Sequence, residues 1–282
     1  IISVAGFLEQ KGYDVRVIDA RTYSAVEIRK AISELLPDVS IVGFSVMTAS
    51  VRESLELSDL VKSINKEILV IWGGVHPTLF PEQTVADGSI DFIVAGEGEI
   101  PLGCLMERLS KGSNTFEDIE NIGFKQDGKV FFKRKLEFID VNSLPLQAYH
   151  LLDMERYLYK PHFDGMMKRS LELQTSRGCP NRCAFCINTI VSRRHWRAQG
   201  ADVVIEHLRT LIERYSLDHI FFMDENFFPN IHRAKSIIKF FKTIPVTWEA
   251  DCRADYFRDN FIDDLVLESM RESGCKMLRI GL

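Results

Sequence analysis

Hydrophobic positions divide the chain into two stretches in which short apolar runs alternate with amphipathic ones. Up to about residue 111 the apolar runs are Val15–Ile18, Ile41–Phe44, Leu69–Trp72 and Phe92–Val94, which predict buried parallel strands, and the segments between them have helical spacing. The chain opens with a helix-like stretch, Ile1 to Gln10, closed by Gly12. A second helix starts at a capping box, with Ser24 as N-cap and Glu27 three residues later, and Pro37 ends it. Alternation of this kind predicts a doubly wound α/β layer, in which ligands sit beyond the carboxyl ends of the strands. Those ends carry Ser45 to Thr48, Gly73-Gly74 and Gly96-Glu97-Gly98.

From about 112 the pattern breaks. Gly123–Lys125 and Lys129–Lys133 flank an Asp127-Gly128 turn, a strong hairpin signal, and a connector with Pro145 follows. The alternation then resumes, with strands near Leu171–Thr175, Ile220–Met223, Val246–Ala250 and Met277–Leu282 and helices starting near Ala201, Ile231 and Asn260. The expected layout is an α/β domain over 1–111, a hairpin and connector over 112–167, and a second α/β domain over 168–282. The parallel strands of that second domain amount to about half of a (β/α) barrel, which would leave a parallel edge unpaired. With a first residue that is not Met and a last run that stops inside a strand, the sequence is expected to be a piece of a longer chain that does not turn over alone.

Composition narrows the function classes. The length of 282 residues and 46% hydrophobic content suit two cores, and a net charge of -5 argues against nucleic acid or an anionic membrane as the main partner. No apolar run is long enough to cross a bilayer and no signal-peptide order opens the chain, so a cytoplasmic protein is expected. Six cysteines are too sparse for a disulfide scaffold, and metal or redox use of some of them is expected.

Their spacing singles out one loop. After the first strand of the second domain the chain reads Thr175-Ser176-Arg177-Gly178-Cys179-Pro180-Asn181-Arg182-Cys183-Ala184-Phe185-Cys186, a CxxxCxxC pattern. Three thiolates in one loop suit an iron-sulfur cubane with one open iron. The alternatives are a zinc site, for which His195 is the one nearby imidazole, and three incidental thiols. Cys104, Cys252 and Cys275 stand alone in apolar contexts and are expected in the core.

This spacing, with an aromatic residue before the last cysteine and its place after a first barrel strand, resembles the signature of the radical S-adenosylmethionine (SAM) superfamily. The resemblance implies that Cys179, Cys183 and Cys186 ligate a 4Fe-4S cluster whose fourth iron is chelated by SAM, and that Phe185 lies against the adenine. Electron transfer from the reduced cluster would then cleave SAM to a 5'-deoxyadenosyl radical. Phe222-Met223-Asp224-Glu225-Asn226 stands where the family places a GGE-type element contacting the methionyl amino group; it lacks the glycine pair, and Asp224 or Glu225 is the candidate. Arg253, after the third strand, is a candidate for the SAM carboxylate or ribose, while an ordinary solvated βα loop is the alternative for these positions. Arg177, Arg182, Arg193, Arg194 and Arg197 fall in a stretch with no acidic residue, which is either a solvated basic face or a dock for an acidic reductant such as flavodoxin or ferredoxin.

The first domain is similar to flavodoxin-like cobalamin-binding domains. Ser45-Val46-Met47-Thr48, Gly73-Gly74-Val75-His76-Pro77 and Gly96-Glu97-Gly98-Glu99 match its SxL and GG loops, and the absence of GxGxxG disfavours a dinucleotide. Ser45, Thr48, Gly73, Gly74 and Gly96 are thereby implied to bind cobalamin, with Gly74→Val blocking it by steric overlap. The family's cobalt-ligating histidine sits in a DxHxxG loop ahead of the helix that opens this sequence, and His76 belongs to a different loop. The domain order is that of cobalamin-binding radical SAM enzymes. It implies a flavodoxin-like doubly wound domain followed by part of a radical SAM (β/α) partial barrel, acting on a small molecule. The family's commonest chemistry of this type is methylation of an unactivated carbon; the alternatives are oxidative cyclisation or ring rearrangement, as in the anaerobic magnesium-porphyrin cyclase, and a non-catalytic cobalamin-sensing or electron-transfer module.

Overall fold

The computed structural model describes residues 1–135, 137–161 and 166–281. Two compact units emerge: residues Ile1–Ile139 with Pro145–Leu152, and residues Asp140–Leu144 with the chain from Asp153 onward. Among the described residues no helix is long and apolar enough to cross a membrane.

In the first unit, α1 (Ile2–Gln10) and α2 (Ala25–Leu35) precede β1 (Ile41–Ser45), α3 (Val51–Ile64), β2 (Leu69–Gly73), α4 (Val75–Leu79), α5 (Pro81–Val85), β3 (Phe92–Val94), α6 (Glu99–Ser110) and the hairpin β4 (Ile122–Gln126) and β5 (Lys129–Phe132). Both halves of the α2 capping box form, Glu27 N–H to Ser24 Oγ at 3.3 Å and Ser24 N–H to the Glu27 carboxylate at 2.7 Å. The sheet order is β1-β2-β3-β4-β5, parallel across the first three strands and antiparallel through the hairpin. Asp127 and Gly128 both take positive φ, 51° and 73°, as a tight hairpin of matching twist requires. Trp72, 1% exposed, anchors the core, and its indole N–H is satisfied by Ser58 Oγ at 2.9 Å.

Val15–Ile18, expected as a strand, joins no ladder. Ile18 still packs on the core, but the run alternates with charge at Asp14, Arg16 and Asp19, and Asp19 turns the chain by accepting the Arg21 amide at 3.0 Å.

The second unit contains α7 (Glu155–Leu158), β6 (Tyr159–Pro161), β7 (Met167–Leu173), β8 (Ser176–Arg177), β9 (Arg197–Ala198), α8 (Ala201–Tyr215), β10 (His219–Phe222), α9 (Ile231–Phe241), β11 (Thr247–Arg253), α10 (Asp264–Glu272) and β12 (Cys275–Gly281). Its main sheet runs β12-β11-β10-β7-β6, with β7, β10, β11 and β12 parallel and β6 antiparallel. The antiparallel β6 pairs along the edge of β7 that the expected half-barrel would leave open. The last helix starts at Asp264, not near Asn260: Asn260 has φ 63°, which a helix cannot use, and Asp263 supplies the cap by accepting the Val266 amide at 3.0 Å. Leu282, at the end of the expected last strand, lies outside the described residues.

Alternation along the strands sorts this sheet into two faces. Ile220, Phe222, Trp248 and Ala250 are at most 1% exposed, and Phe222 and Trp248 pack on Phe241 of α9. The opposite face carries charge: Arg279 donates to Glu249 at 2.8 Å and to Asp251 at 2.6 Å.

Candidate cofactor sites

The three clustered cysteines occupy the segment 178–196 that joins β8 to β9, two strands paired antiparallel through Ser176↔Ala198 and Arg177↔Arg197. Its base is fastened from the next strand. Asp224, beyond the end of β10, is fully buried and accepts Thr175 N–H at 2.6 Å, Thr175 Oγ–H at 2.6 Å and Ser176 N–H at 2.7 Å. Arg233 of α9 donates to Thr175 Oγ1 at 2.5 Å and to the Gln199 carbonyl at 2.7 Å. Burial pushes the Asp224 carboxyl up to about 6, against the opposing pull of Arg233 and of its Thr175 and Ser176 donors. The neighbouring Glu225 is exposed, and its carboxylate accepts the Gly178 amide at 3.1 Å. Gly178 has φ 82°, and a Cβ there would stand 2.1 Å from the His195 carbonyl, so the loop crosses itself at a point only glycine permits. Of the two acidic candidates, Asp224 is thus turned inward to brace the loop, whereas Glu225 sits at the surface beside it.

All three thiols are free and partly buried. Cys186 N–H closes a turn onto the Cys183 carbonyl at 3.0 Å. Two of the sulfurs receive side-chain N–H groups from the ends of barrel strands: Asn226 Nδ2 lies 3.6 Å from Cys179 Sγ, and Arg253 Nη1 lies 3.6 Å from Cys183 Sγ. Asn181 Nδ2 adds a contact to Cys179 Sγ at 3.4 Å. Donors aimed at sulfur suit thiolate ligands, which are acceptors. Among the described residues no three His, Cys, Asp or Glu side chains converge as they would on a single ion, and His195, the imidazole of the zinc alternative, places Nδ1 3.0 Å from its own loop's Arg193 carbonyl. Phe185 is 91% exposed. Arg253 also forks onto Asp255 at 2.9 and 3.1 Å, which holds that carboxyl below the usual range.

The isolated cysteines divide. Cys252 is buried, as expected, whereas Cys275 is only partly buried; desolvation pushes the Cys252 thiol up to about 11 and the Cys275 thiol up to about 12, which keeps both protonated. Cys104, expected in the core, is exposed instead, because it shares the outer face of α6 with Ile100 and Glu107, its neighbours at helical spacing, both exposed.

In the first unit the loops after β1, β2 and β3 are tied together. Val46 N–H donates to the Gly73 carbonyl at 2.8 Å and His76 N–H to the Val46 carbonyl at 3.0 Å. Thr78 Oγ–H donates to the Gly74 carbonyl at 2.6 Å and accepts the Gly96 amide at 2.8 Å, and Thr48 Oγ1 stands 3.3 Å from His76 Nδ1. Ser45, Thr48 and Gly96 are exposed at these strand ends, and Met47 and Phe80 are apolar and exposed. Gly74 has φ 96°, and a Cβ would meet Val46 N and O at 2.8 and 2.9 Å; the clash of Gly74→Val is therefore first with the chain's own backbone. Gly73 differs, since a Cβ there finds nothing closer than 3.9 Å.

Residues 1–105 match the family model described as the B12 binding domain. Over 276 residues the chain is 32% identical to an uncharacterized methyltransferase, PH0819, of Pyrococcus horikoshii, covering 96% of this chain and 57% of the relative. It is 28% identical to the anaerobic magnesium-protoporphyrin IX monomethyl ester cyclase of Rubrivivax gelatinosus over 291 residues, covering 99% of this chain and 50% of the relative. Its fold matches that of the cobalamin-dependent S-adenosylmethionine radical enzyme OxsB, solved with aqua-cobalamin and S-adenosylmethionine bound, at a TM-score of 0.78 and 22% identity over 99% of this chain and 40% of that one. Residues 1–105 thus carry a B12-binding domain, and over nearly its whole length the chain is similar to a methyltransferase and a cyclase and has the fold of a cobalamin-dependent radical SAM enzyme. It spans between half and three-fifths of the length of these two curated relatives.

The residues that organise the two sites include several that motif reading passes over. Thr78 links two glycine loops of the B12-binding domain, and Arg233 and Thr175 anchor the thiol loop from outside the CxxxCxxC pattern. Asn226 and Tyr256 form a buried pair at 2.8 Å beside Cys179. The one sequence cue for Asn226 is its position directly after the acidic pair at a strand's carboxyl end; Arg233 and Tyr256 carry none.

Proposed function

We propose that this chain provides the cobalamin-binding and cluster-binding parts of a radical SAM enzyme whose reaction is methylation of an unactivated carbon. The observation that carries the reading is the CxxxCxxC loop at the carboxyl end of β7, with N–H donors from the ends of β10 and β11 aimed at two of its three sulfurs, in a chain that also has a B12-binding domain. Cys179, Cys183 and Cys186 would hold a 4Fe-4S cluster by drawing their loop around it. When bound, the cluster supplies the electron that splits SAM into methionine and a 5'-deoxyadenosyl radical.

The chain's own residues would serve that chemistry by binding and orientation. Glu225, exposed beside the Gly178 amide, would accept hydrogen bonds from the SAM ammonium, and the Arg253 guanidinium would meet its carboxylate or ribose. Phe185, with its ring open to solvent, offers an apolar face for adenine. Asp224 works one step back, by fixing Thr175 and Ser176 at the root of the loop. Ser45, Thr48, Gly73, Gly74 and Gly96 would line the cobalamin crevice, where the glycines let a ligand approach the backbone. The basic stretch containing Arg182 and Arg194, both exposed, fits docking of an acidic one-electron donor of the flavodoxin or ferredoxin class.

Anaerobic reconstitution of the full-length protein with iron, sulfide and hydroxocobalamin, followed by incubation with methyl-labelled SAM, reductant and candidate substrates, tests the proposal. Deoxyadenosine with label in a carbon-methylated product supports it. Deoxyadenosine with an unlabelled, cyclised product transfers the chain to the cyclase reading favoured by the magnesium-protoporphyrin relative, and loading of both cofactors without deoxyadenosine sinks the enzymatic reading.

A further inference from the structure

The side chains at the ends of β10 and β11 treat the three thiols unequally. Asn226 is 1% exposed, and its amide N–H₂ is shared between the Tyr256 hydroxyl at 2.8 Å and Cys179 Sγ at 3.6 Å. Among the described residues its buried carbonyl Oδ1 finds no hydrogen-bond partner. Leaving such an acceptor unsatisfied costs about 1–3 kcal/mol, so the amide is oriented for its N–H side at the expense of its oxygen. Trp196 N–H fixes the Asn226 backbone by donating to its carbonyl at 3.0 Å. Arg253 is held by a two-point contact to Asp255, and the remaining terminal nitrogen, Nη1, reaches Cys183 Sγ at 3.6 Å. Cys186 Sγ, among the described residues, accepts no side-chain donor.

We propose that Asn226 and Arg253 are positioning residues that set the reduction potential of the bound cluster through N–H···S contacts to Cys179 and Cys183. The inference rests on the reading of those cysteines as cluster ligands. Hydrogen bonds to the ligating sulfurs are among the levers that set iron-sulfur potentials. A donor stabilises the more negative, reduced cluster more than the oxidised one, and so raises the potential. Arg253 adds a full positive charge to the same effect, so a weaker one-electron donor suffices. In each reduction the cluster gains the one electron that the external donor loses. Asn226 acts from a dry setting, where an N–H dipole is weakly screened, and Arg253 from a partly solvated one.

The test is a potentiometric titration of the anaerobically reconstituted protein, followed by the paramagnetic signal of the reduced cluster, for wild type, Asn226→Leu, Arg253→Met and Arg253→Lys. Iron and sulfide content is measured first for each. The expected result is that Asn226→Leu and Arg253→Met load iron and sulfide as wild type does but show midpoints more negative by about 59 mV, a tenfold lower ratio of reduced to oxidised cluster at fixed poise for one electron. Arg253→Lys, which keeps the charge, recovers part of the shift. Loaded variants with the wild-type midpoint overturn the proposal. Because Arg253 is partly exposed and lies outside the buried core, Arg253→Met decides the matter even where Asn226→Leu disturbs folding. A wild-type protein that takes up no iron and sulfide overturns instead the reading of the cysteines as ligands, and the inference with it.

Discussion

Asp224 accepts both the amide and the hydroxyl of Thr175, each at 2.6 Å, and the same hydroxyl receives a hydrogen bond from Arg233. One threonine thus connects a buried acid to a buried guanidinium at the root of the thiol loop. Thr175→Val keeps the shape and removes the bridge, leaving both charged groups short of a partner. The expected loss is about 2–3 kcal/mol, the range for hydrogen bonds to charged groups, seen as a lower denaturation midpoint of the second unit at an unchanged slope. A loss within about 0.5 kcal/mol of zero would show that the bridge is not structural.

The acid in that bridge also sets a pH dependence. An unfolded aspartate titrates near 3.9, whereas burial pushes Asp224 up to about 6, so the folded state holds the proton more tightly. The resulting stability is fully present below about pH 4, falls as the pH rises through about 4 to 6, and is flat above. The span corresponds to about 3 kcal/mol. Denaturant titrations between pH 4 and 7 should show this fall in wild type and its disappearance in Asp224→Asn; a wild type whose stability rises across the window contradicts the assignment.

The cysteines should sort by position. Replacing Cys179, Cys183 or Cys186 by Ala is expected to abolish iron and sulfide uptake, whereas Cys104→Ala, Cys252→Ala and Cys275→Ala should retain it. Chemical iron and sulfide assay after anaerobic reconstitution decides, and the reverse pattern would move the cluster elsewhere.

The two glycines at the end of β2 are expected to separate folding from binding. Gly74→Ala places a Cβ against Val46 at 2.8 Å in a left-handed conformation, so it should destabilise the first unit by about 1–3 kcal/mol. Gly73→Ala, with ordinary contacts only, should leave the unfolding midpoint within about 0.5 kcal/mol of wild type while weakening hydroxocobalamin about tenfold or more, as overpacking of a fitted ligand site does. Equilibrium dialysis and thermal melts measure the two effects; Gly73→Ala binding at wild-type strength would place the corrin away from this crevice.

Much of this organisation was legible in the chain itself. The strands at Ile41–Ser45, Leu69–Gly73 and Phe92–Val94 appear at apolar runs, and the Ser24 capping box and the Asp127-Gly128 turn form as their local chemistry requires. These features depend on contacts within a few residues, or on burial of a whole run, so composition and periodicity carry them. Val15–Ile18 has a strand-like apolar run yet joins no ladder, because pairing depends on a neighbouring strand, which no local pattern reports. Cys104 stands in an apolar stretch yet is exposed for a related cause: the buried side of a helix follows from which side its neighbours occupy.

By itself the sequence determined that three thiols share one loop and that glycines stand at successive strand ends, because ligand spacing and turn geometry are short-range properties. Only the tertiary structure decided that Asp224 turns inward while Glu225 stays outside, that Arg233 closes on Thr175 from 58 positions away, and that Asn226 and Arg253 direct their N–H groups at sulfur. Those relations join residues that are brought together by a parallel sheet, whose crossover helices separate neighbouring strands by tens of residues, and nothing in a local window encodes them.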